Sequence, residues 1–307
     1  MTIRLAIVGL GKIARDQHLP AIEATHGVEV AAVVSRNASL PQTPSFASLA
    51  DLLASGVAFD AVALCTPPQV RRSQATLALA SGKHVLLEKP PGATVGEVAI
   101  LRTAAEASGA TLFATWHSRF ASAVEPARAL LAERALRSVR IDWKEDVRVW
   151  HPGQAWIFEA GGLGVFDPGI NALSILTRIL PHQVFVTGAR LDFPANKDAP
   201  IAASIDLADE KGLAVRAEFD FLQTGPQTWD IRIETDDGEL VLSSGGARLT
   251  DRGSTVVDAP NTEYRGIYRR FVELVEGRES DVDLAPLGLV ADAFLLGRRR
   301  LVPEFNE

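Results

Sequence analysis

The chain has 307 residues, of which 47% are apolar and 22% charged, so it is long enough for one large domain or two of ordinary size. Its formal net charge of −7 argues against nucleic acid as a partner, and its single cysteine, Cys65, excludes an intrachain disulfide and a cysteine-ligated metal cluster. No uncharged apolar run is long enough to cross a membrane, and the first residues lack the pattern of a signal peptide. We therefore expect a cytoplasmic protein without a membrane partner.

A glycine-rich turn near the start of the chain predicts dinucleotide binding. The apolar run Leu5–Val8 is typical of a buried parallel strand, and it leads into the sequence GLGKIA and a predicted helix through about Glu23. In this G-x-G-x-x-A pattern Gly9 permits the tight turn, Gly11 lets the backbone approach a pyrophosphate, and Ala14 lets helix and strand pack closely. The N-terminus of the helix attracts the phosphates.

The end of the second predicted strand, Val28–Val34, indicates which dinucleotide fits. An NAD-specific site usually has an acidic residue at this point, which binds the ribose 2′-hydroxyl. This chain has Ser35 and Arg36 instead, and these side chains can bind a 2′-phosphate by hydrogen bonding and by charge. We expect that NADP is accepted and that NAD is used as well. The alternative is that Arg36 is only a solvated surface side chain.

Helices and strands alternate up to about residue 115. The predicted segments are helix Ser48–Ser55, strand Ala61–Cys65, helix Gln69–Ser81, strand His84–Leu87, helix Thr94–Ser108 and strand Thr111–Thr115. Such alternation with short connections predicts an α/β Rossmann domain, a doubly wound parallel sheet, over residues 1–118. Because the loops after parallel strands share one edge of the sheet, Cys65, Thr66 and Pro67 are predicted to border the cofactor.

Glu88, Lys89 and Pro90 follow the predicted strand His84–Leu87. Proline cannot donate to a sheet ladder and disfavours helix in the residue before it, so the strand ends in a stiff turn at the ligand-binding edge. This makes Lys89 a candidate catalytic residue; the alternative is an ordinary surface lysine. The cofactor contacts predicted from all these loops are Gly9, Gly11, Lys12, Ile13, Ser35, Arg36, Cys65, Thr66, Pro67, Glu88 and Lys89.

Residues 119–307 have a different pattern, which predicts an α+β domain with a large, mainly antiparallel open sheet. The predicted elements are helix Ser122–Arg134, strand Val139–Val149, a loop over Trp150–Glu159, helix Leu163–Ile179, strands near 183–192, 201–208, 213–222, 229–236 and 239–243, and helices near 261–277 and 286–301. The last helix could pack back on the first domain. The exposed face of such a sheet is a candidate interface, so we expect a homodimer or homotetramer.

A second polar cluster lies at the start of the predicted helix Leu163–Ile179. Asp167 and Asn171 are four residues apart, so they share one face of this otherwise apolar helix, and the sequence GGLG at 161–164 precedes them. An aspartate in such surroundings needs a partner or a role. The structural alternatives are a helix-capping aspartate and a buried, satisfied asparagine.

Together these segments resemble the glucose–fructose oxidoreductase/inositol dehydrogenase/rhizopine catabolism (Gfo/Idh/MocA) family. The resemblance rests on the glycine-rich turn at 9–14, on Cys65-Thr66-Pro67-Pro68, on Glu88-Lys89-Pro90 and on the segment Gly161–Asn171, and it covers essentially the whole chain. It implies a Rossmann domain followed by an α+β domain, NAD(P)-dependent oxidation of sugars or cyclitols, and oligomers formed through the open sheet. One departure is informative, because most members have histidine where this chain has Asn171.

With Asn171, Ser35-Arg36 and the segment Lys144-Glu145-Asp146, the chain resembles the branch of this family that oxidises L-arabinose and D-galactose at C1. The resemblance implies oxidation of the anomeric hydroxyl of a small sugar, D-fucose included, to a 1,5-lactone. Lys89 and Asp167 are the implied catalytic residues, and which of them is the base stays open. The implied substrate contacts are Asn171, Glu145, His151, Trp150, His117 and Arg119, and no metal is required. Three alternatives remain: another sugar or inositol dehydrogenase, an NAD-dependent glycosidase, and a non-catalytic dinucleotide sensor.

Overall fold

The computed structural model describes residues 2–260 and 262–306, and the chain divides into two compact units. The first unit contains the chain up to His117 together with Tyr264–Leu284, and the second contains Ser118–Glu263 and the chain from Ala285 onward. The first break falls within one residue of the boundary expected after residue 118. The last helix, which we expected to be able to pack back on the first domain, belongs to the second unit; the helix before it joins the first.

The first unit is built on a six-stranded parallel sheet. Its strands are β1 (Ile3–Val8), β2 (Val28–Val34), β3 (Ser45–Phe46), β4 (Ala61–Leu64), β5 (His84–Leu87) and β6 (Leu112–Ala114). They lie in the order β3–β2–β1–β4–β5–β6. The order changes direction beside β1, and in doubly wound sheets ligands bind at the carboxyl ends of the strands next to such a point. The predicted Rossmann fold is confirmed, with the two-residue β3 as an additional edge strand.

Helices connect these strands. They are α1 (Leu19–Glu23), α2 (Leu49–Ala54), α3 (Pro68–Ala80) and α4 (Val95–Ser108). A helical segment that starts at Lys12 runs directly into α1, and its central turn, Ala14–His18, is π-helical. Side-chain caps fix where the later helices begin: Ser48 forms a capping box with Asp51 at α2, and Thr94 accepts a bond from the backbone N–H of Glu97 at α4.

The strands of the first unit are largely apolar because they lie in its core. The strands β1, β4 and β5 are buried on both faces, as parallel strands covered by helices are. Leu52, Leu79 and Leu101 pack into this core from α2, α3 and α4. In the part of the chain that the structure describes, no helix is both long enough and apolar enough to cross a membrane.

The second unit is built on a nine-stranded mixed sheet. Its strands are β7 (Leu136–Lys144), β8 (Val184–Pro194), β9 (Ala202–Asp209), β10 (Ala214–Asp220), β11 (Thr228–Thr235), β12 (Gly238–Ser243), β13 (Arg248–Asp251), β14 (Ser254–Asp258) and β15 (Gly297–Val302). They lie in the order β14–β13–β12–β11–β7–β10–β9–β8–β15. Among the described residues of this sheet, only β7 with β10 and β8 with β15 are parallel neighbours. The predicted large, mainly antiparallel sheet is confirmed.

The remaining helices are α5 (Val124–Ala132), α6 (Val147–Trp150), α7 (Phe166–Ile179), α8 (Glu263–Gly277) and α9 (Ala285–Leu296). Helices α7 and α9 pack on each other and contact strands β7 and β8 of the sheet. Burial alternates along β9 and β10, so the opposite face of the sheet carries charged side chains such as the pair of exposed Arg216 and half-buried Glu218.

Three strands of the second unit are not predicted as strands by the sequence. Strands β13 and β14 are short and rich in charged or exposed side chains, so the sequence pattern does not predict them. The helix expected near 286–301 ends at Leu296, and the following residues form β15 because they pair in parallel with β8. Pairing with a strand about a hundred residues away thus overrides the local pattern.

The strand expected over Val139–Val149 is also shorter than predicted and ends at Lys144. The Asp146 carboxylate accepts a bond from the backbone N–H of Arg148, which caps the short helix α6. A 3₁₀ turn, Ala155–Phe158, lies in the segment expected to be a loop. The helix expected near 261–277 is α8, and residue 261 lies outside the described residues.

Candidate active site

The glycine-rich turn after β1 has the geometry that a dinucleotide needs. Gly9 has φ +94°, and a Cβ there would lie 2.9 Å from the Thr66 side chain, so this position requires glycine. At Gly11 a Cβ would meet no atom of the protein within 4 Å, so protein packing does not explain this glycine. The helix begins at the next residue, Lys12. An open backbone at the start of a helix suits a pyrophosphate, and the first unit therefore fits the dinucleotide.

The other predicted cofactor contacts follow the strands of the same sheet. They are Lys12 and Ile13 in the first helical turn, Ser35 and Arg36 after β2, Cys65, Thr66 and Pro67 after β4, and Glu88 and Lys89 after β5. Ser35 is half-buried, and Arg36 is exposed. Lys12 forms an ion pair with Asp16 one turn along the helix. Because parallel strands end at one edge, these residues share the carboxyl edge of the sheet.

Glu88 is the centre of a buried polar network. Its carboxylate oxygen Oε1 lies 2.9 Å from His18 Nε2 and accepts a 2.8 Å bond from the hydroxyl of Tyr264. The other oxygen, Oε2, accepts a 2.8 Å bond from the backbone N–H of Lys89. His18 Nδ1 lies 2.6 Å from the hydroxyl oxygen of Tyr268. All of these residues except Lys89 are buried, so the network is closed to water.

The charges in this network shift the pKa of its members. Burial raises the pKa of Glu88, but the hydrogen bond from His18 and the charges of His18, His117 and Arg71 outweigh burial and lower the pKa to about 2. Burial lowers the pKa of His18, yet Cys65, Tyr268 and Glu88 together raise it well above its ordinary value. Burial raises the pKa of Tyr268 to about 12. Near neutral pH, Glu88 and His18 are therefore a buried ion pair.

Arg71 holds the backbone on both sides of Lys89. Its guanidinium donates to the carbonyl oxygens of Glu88 and Pro90, and the Lys89–Pro90 peptide bond between them is cis. The backbone N–H of Glu88 donates to the carbonyl of Leu64 at 3.2 Å, which continues the pairing of β5 with β4. Lys89 itself is half-buried. The turn that carries Lys89 is thus fixed to the edge of the sheet.

His117, one of the expected substrate contacts, lies beside this network at the end of the first unit. It is half-buried, and its ring stacks on Tyr264 with ring centroids 5.5 Å apart. The same Tyr264 hydroxyl donates to Glu88. The His117 ring therefore covers one of the residues that hold Glu88.

In the second unit, close backbone contacts set the start of α7. A Cβ at Gly162 would collide with the carbonyl oxygen of Trp156, and one at Gly164 (φ +56°) would collide with that of Pro200. Within the helix, a Cβ at Gly169 would come within 2.9 Å of the Phe219 ring on β10. The glycines of this segment thus let α7 begin close to the sheet and to the preceding turn.

Asp167 is the second residue of α7 and is buried. Val165 is the N-cap residue, so Asp167 is not the helix cap that we considered as an alternative. Its oxygen Oδ2 lies 3.9 Å from His151 Nδ1. Asn171, half-buried, lies one turn along the same face of the helix, as the four-residue spacing predicts.

His151 connects Asp167 to Glu145. Its Nε2 lies 2.8 Å from Glu145 Oε1, and Trp229 Nε1 donates a 2.8 Å bond to Glu145 Oε2. Glu145 is only 2% exposed. Both of its oxygens are engaged by side chains of the second unit, so Glu145 orients His151, a role that the sequence did not predict.

Two further expected substrate contacts have different surroundings. Trp150 is 40% exposed, and its ring centroid lies 4.8 Å from that of Trp229, which leaves an aromatic surface next to Glu145. Arg119 donates to the carbonyl of Ser174 and to the hydroxyl of Thr177, both at 2.9 Å. These bonds indicate that Arg119 holds the second half of α7, and the sugar contact implied by the resemblance stays a prediction.

Sequence reasoning missed five residues that support the site. They are His18, Arg71, Tyr264 and Tyr268 around Glu88, and Trp229 beside Glu145. Their partners are distant in the chain: His18 and Tyr268 are separated by 250 positions, and Tyr264 and Glu88 by 176. No spacing rule connects residues so far apart. The π-helical turn that ends at His18 is a local feature of a kind that is frequent at functional sites.

Known oxidoreductases are similar to this chain in sequence and in fold. Residues 3–115 match the model of the family described as oxidoreductase family, NAD-binding Rossmann fold. The chain is 50% identical to the galactose 1-dehydrogenase of Pseudomonas fluorescens over 99% of both sequences. It is 55% identical to a solved D-galactose-1-dehydrogenase protein from Rhizobium etli, with a TM-score of 0.95 over 99% of this chain and 98% of that one. A 3-ketoreductase from Actinomadura kijaniata, solved with NADP, shares the fold at 20% identity, with a TM-score of 0.88 over 99% and 100% of the two chains.

The fold and the site define an oxidoreductase with an NAD-binding Rossmann unit. Because the chain is 50% identical over its full length to a galactose 1-dehydrogenase, it belongs to the Gfo/Idh/MocA oxidoreductases, as the sequence motifs predict.

Proposed function

We propose that this protein is an NAD(P)-dependent aldose 1-dehydrogenase that oxidises the anomeric hydroxyl of D-galactose, and also of L-arabinose and D-fucose, to the 1,5-lactone. The observation that carries the proposal is the identity of 50% and 55% to two galactose 1-dehydrogenases over nearly the whole chain. The backbone of the candidate catalytic residue Lys89 is held by Glu88, and the carboxylate of the other, Asp167, lies 3.9 Å from His151. A sensor without catalytic function would not need them.

The roles of the two catalytic residues follow from the chemistry of the reaction. A bound nicotinamide would supply the acceptor for the hydride from C1. The protein must bind the sugar and remove the proton of the anomeric hydroxyl. We assign Lys89 to a hydrogen bond with the anomeric oxygen and Asp167 to removal of the proton. Asn171 binds a ring hydroxyl from the same helix face as Asp167.

His151 and Glu145 support Asp167 in this scheme. A proton on Asp167 has a neighbour in His151 Nδ1, 3.9 Å away, and the opposite nitrogen of that ring is held by the Glu145 carboxylate at 2.8 Å. A carboxylate that orients an imidazole fixes which ring nitrogen is free to exchange a proton. We therefore assign His151 as the group that passes the proton on, or that binds a sugar hydroxyl beside it, and the Trp150 ring as an apolar surface for the sugar.

The choice of sugars rests on stereochemistry. L-Arabinopyranose has the configuration of D-galactopyranose from C1 to C4 and lacks only the C6 hydroxymethyl group, and D-fucose lacks only the C6 hydroxyl. A site that recognises the shared hydroxyls and is open at C6 accepts all three. Sites that hydrogen-bond a substrate hydroxyl discriminate strongly, so we expect D-glucose, which differs at C4, to be a poor substrate.

For the cofactor we propose that both NADP and NAD are used. Ser35 and Arg36 follow β2 where an NAD-specific site has an acid, and the exposed guanidinium of Arg36 is available to a 2′-phosphate. We further propose a homodimer or homotetramer through the exposed face of the nine-stranded sheet.

The test is a spectrophotometric assay of nicotinamide reduction with NAD and NADP offered separately. The sugars are D-galactose, L-arabinose, D-fucose, D-glucose, D-xylose and myo-inositol. We expect reduction with the first three and little with the others. Activity on D-glucose or inositol alone would retain the family and refute the proposed substrates. No reduction with any of them, together with cleavage of a galactoside, would support the glycosidase instead.

A further inference from the structure

The buried network around Glu88 contains residues that no step of the proposed reaction uses. His18 is completely buried, and both of its ring nitrogens are engaged by protein groups: Nδ1 by Tyr268 at 2.6 Å and Nε2 by Glu88 at 2.9 Å. A side chain with both nitrogens occupied by the protein does not contact a substrate or cofactor. If His18 contributes to the reaction, it does so through another residue.

Glu88 is the residue through which His18 can act. Its oxygen Oε1 is held by His18 and by the Tyr264 hydroxyl, and its oxygen Oε2 accepts the backbone N–H of Lys89 at 2.8 Å. Charge-assisted bonds of this kind are short and fix geometry strongly. The carboxylate therefore transmits the position of His18 and Tyr264 to the backbone nitrogen of Lys89.

The chain context of His18 supports a specific role. His18 lies at the end of the π-helical turn Ala14–His18, in the helical segment that follows Gly11. π-Helical turns are rare and are frequently found at functional sites. Pro20, two residues later, has no N–H to donate to an earlier carbonyl, which is a local physical cause for the altered helix at this point. The turn directs an imidazole from the cofactor-binding segment to the carboxylate that holds Lys89.

We propose that His18 and Tyr264 are positioning residues of the reaction: through the Glu88 carboxylate they fix the backbone of Lys89 and so direct its ammonium group to the anomeric oxygen. This inference rests on the proposed function of Lys89. It predicts that loss of the network slows the catalysed step while cofactor binding is retained, since a misplacement of about 1 Å can cost about 100-fold in rate.

The experiment compares His18→Leu, His18→Gln and Tyr264→Phe in the full-length protein with D-galactose and NADP. We expect kcat to fall about 10- to 100-fold in His18→Leu and about 10-fold in Tyr264→Phe, with the Kd for NADP changed less than about 3-fold. His18→Gln should recover much of the loss, because the Gln amide can still donate to Glu88 from the place of Nε2. Thr25→Val is the control, since it removes a buried hydroxyl of the same unit that bonds only the carbonyl of Ala21, at 2.6 Å; its kcat should not change.

A double-mutant cycle separates positioning from mere structural support. In a Lys89→Met background, adding Tyr264→Phe or His18→Leu should lower kcat by less than about 2-fold, because residues that act through one another are not additive. Equal losses with and without Lys89, or unchanged kcat with only a lower Tm, would overturn the inference. If His18→Leu does not fold, Tyr264→Phe decides by the same criteria. Wild-type kcat in Lys89→Met alone would refute the proposed role of Lys89, and with it this inference, whereas no activity of the wild type on any of the sugars would refute the proposed function of the protein.

Discussion

Each unit of the protein contains a buried glutamate that is hydrogen-bonded to a histidine, and the two pairs differ in what surrounds the histidine. In the first unit, His18 is fully buried between Glu88 and Tyr268, and both of its nitrogens are engaged. In the second unit, the His151 side chain is 16% exposed, and its second nitrogen faces Asp167 at 3.9 Å. The Glu88–His18 pair is closed, whereas the Glu145–His151 pair is open on one side.

Under our proposals, the same pairing of side chains serves a different purpose in each unit. A closed pair has no free nitrogen to exchange a proton, so its charge and hydrogen bonds only fix the backbone of the neighbouring Lys89. An open pair keeps one nitrogen available to a carboxylate that is itself proposed to take part in proton transfer. Variants of the two pairs should therefore affect different properties: stability and alignment in the first unit, and proton transfer in the second.

The largest effect is expected at the open side of the second pair. Asp167→Asn keeps the shape of the side chain but removes its basicity, so kcat/KM for D-galactose should fall by about 100- to 10,000-fold, the usual contribution of a general acid or base. The Kd for NADP should not change. Steady-state kinetics and fluorescence titration of NADP measure the two quantities.

Asp209→Asn provides the matched control in the same unit. Asp209 is a buried aspartate as well, but its carboxylate accepts bonds from the backbone N–H groups of Lys211 and Leu213 in the turn after β9. This change should lower the Tm and leave kcat unaltered. Similar loss of kcat in both variants would mean that Asp167 only supports the fold of the second unit.

The second prediction compares the two glutamates directly. Glu88→Gln leaves His18 buried without its anion, and breaking a buried ion pair in this way costs about 3 to 5 kcal/mol. Glu145→Gln should cost less, about 1 to 3 kcal/mol, because His151 can still be hydrated on its open side. Amide hydrogen exchange, followed separately for strands β5 and β7, measures the loss in each unit even if the chain unfolds in steps. If Glu88→Gln and Glu145→Gln lowered the stability of their units equally, the distinction between a closed and an open pair would be refuted.

How far the sequence predicts these regions depends on how local their causes are. The glycine-rich turn, the strands β1, β2, β4 and β5 and the turn at Lys89 were predicted because buried parallel strands and their turns carry continuous local signals. Asp167 and Asn171 were found because helical spacing connects residues four apart. The general architecture and the family follow from these segments.

Other features have causes that are distant in the chain, and these were missed. Strand β15 contains three consecutive arginines and becomes a strand only through its pairing with β8. The closed network joins His18 on the first helical segment with Glu88 after β5 and with Tyr264 and Tyr268 on α8, so its members are revealed only by the fold. In the second unit, Glu145 and Trp229 can orient His151 only because the fold brings three separate segments of the chain together.

The last and smallest effect is the pH dependence of the closed pair. The pKa of Glu88 is lowered from 4.5 to about 2 in the folded protein, so its stabilisation is complete above about pH 5 and is lost as the pH falls towards 2. At about 1.4 kcal/mol per pKa unit, the lowered pKa of Glu88 contributes about 3 kcal/mol to the free energy of unfolding. The pKa of His18 is raised instead, so its stabilisation is complete below its unfolded value of 6.5 and is lost as the pH rises through the folded value.

The difference in unfolding free energy between wild type and Glu88→Gln, measured by denaturant titration across pH, should therefore be greatest between about pH 5 and 6.5 and decline on both sides. A difference that does not vary from pH 3 to pH 9 would mean that His18 and Glu88 are not charged in the folded protein, and the closed pair would then be a neutral hydrogen bond.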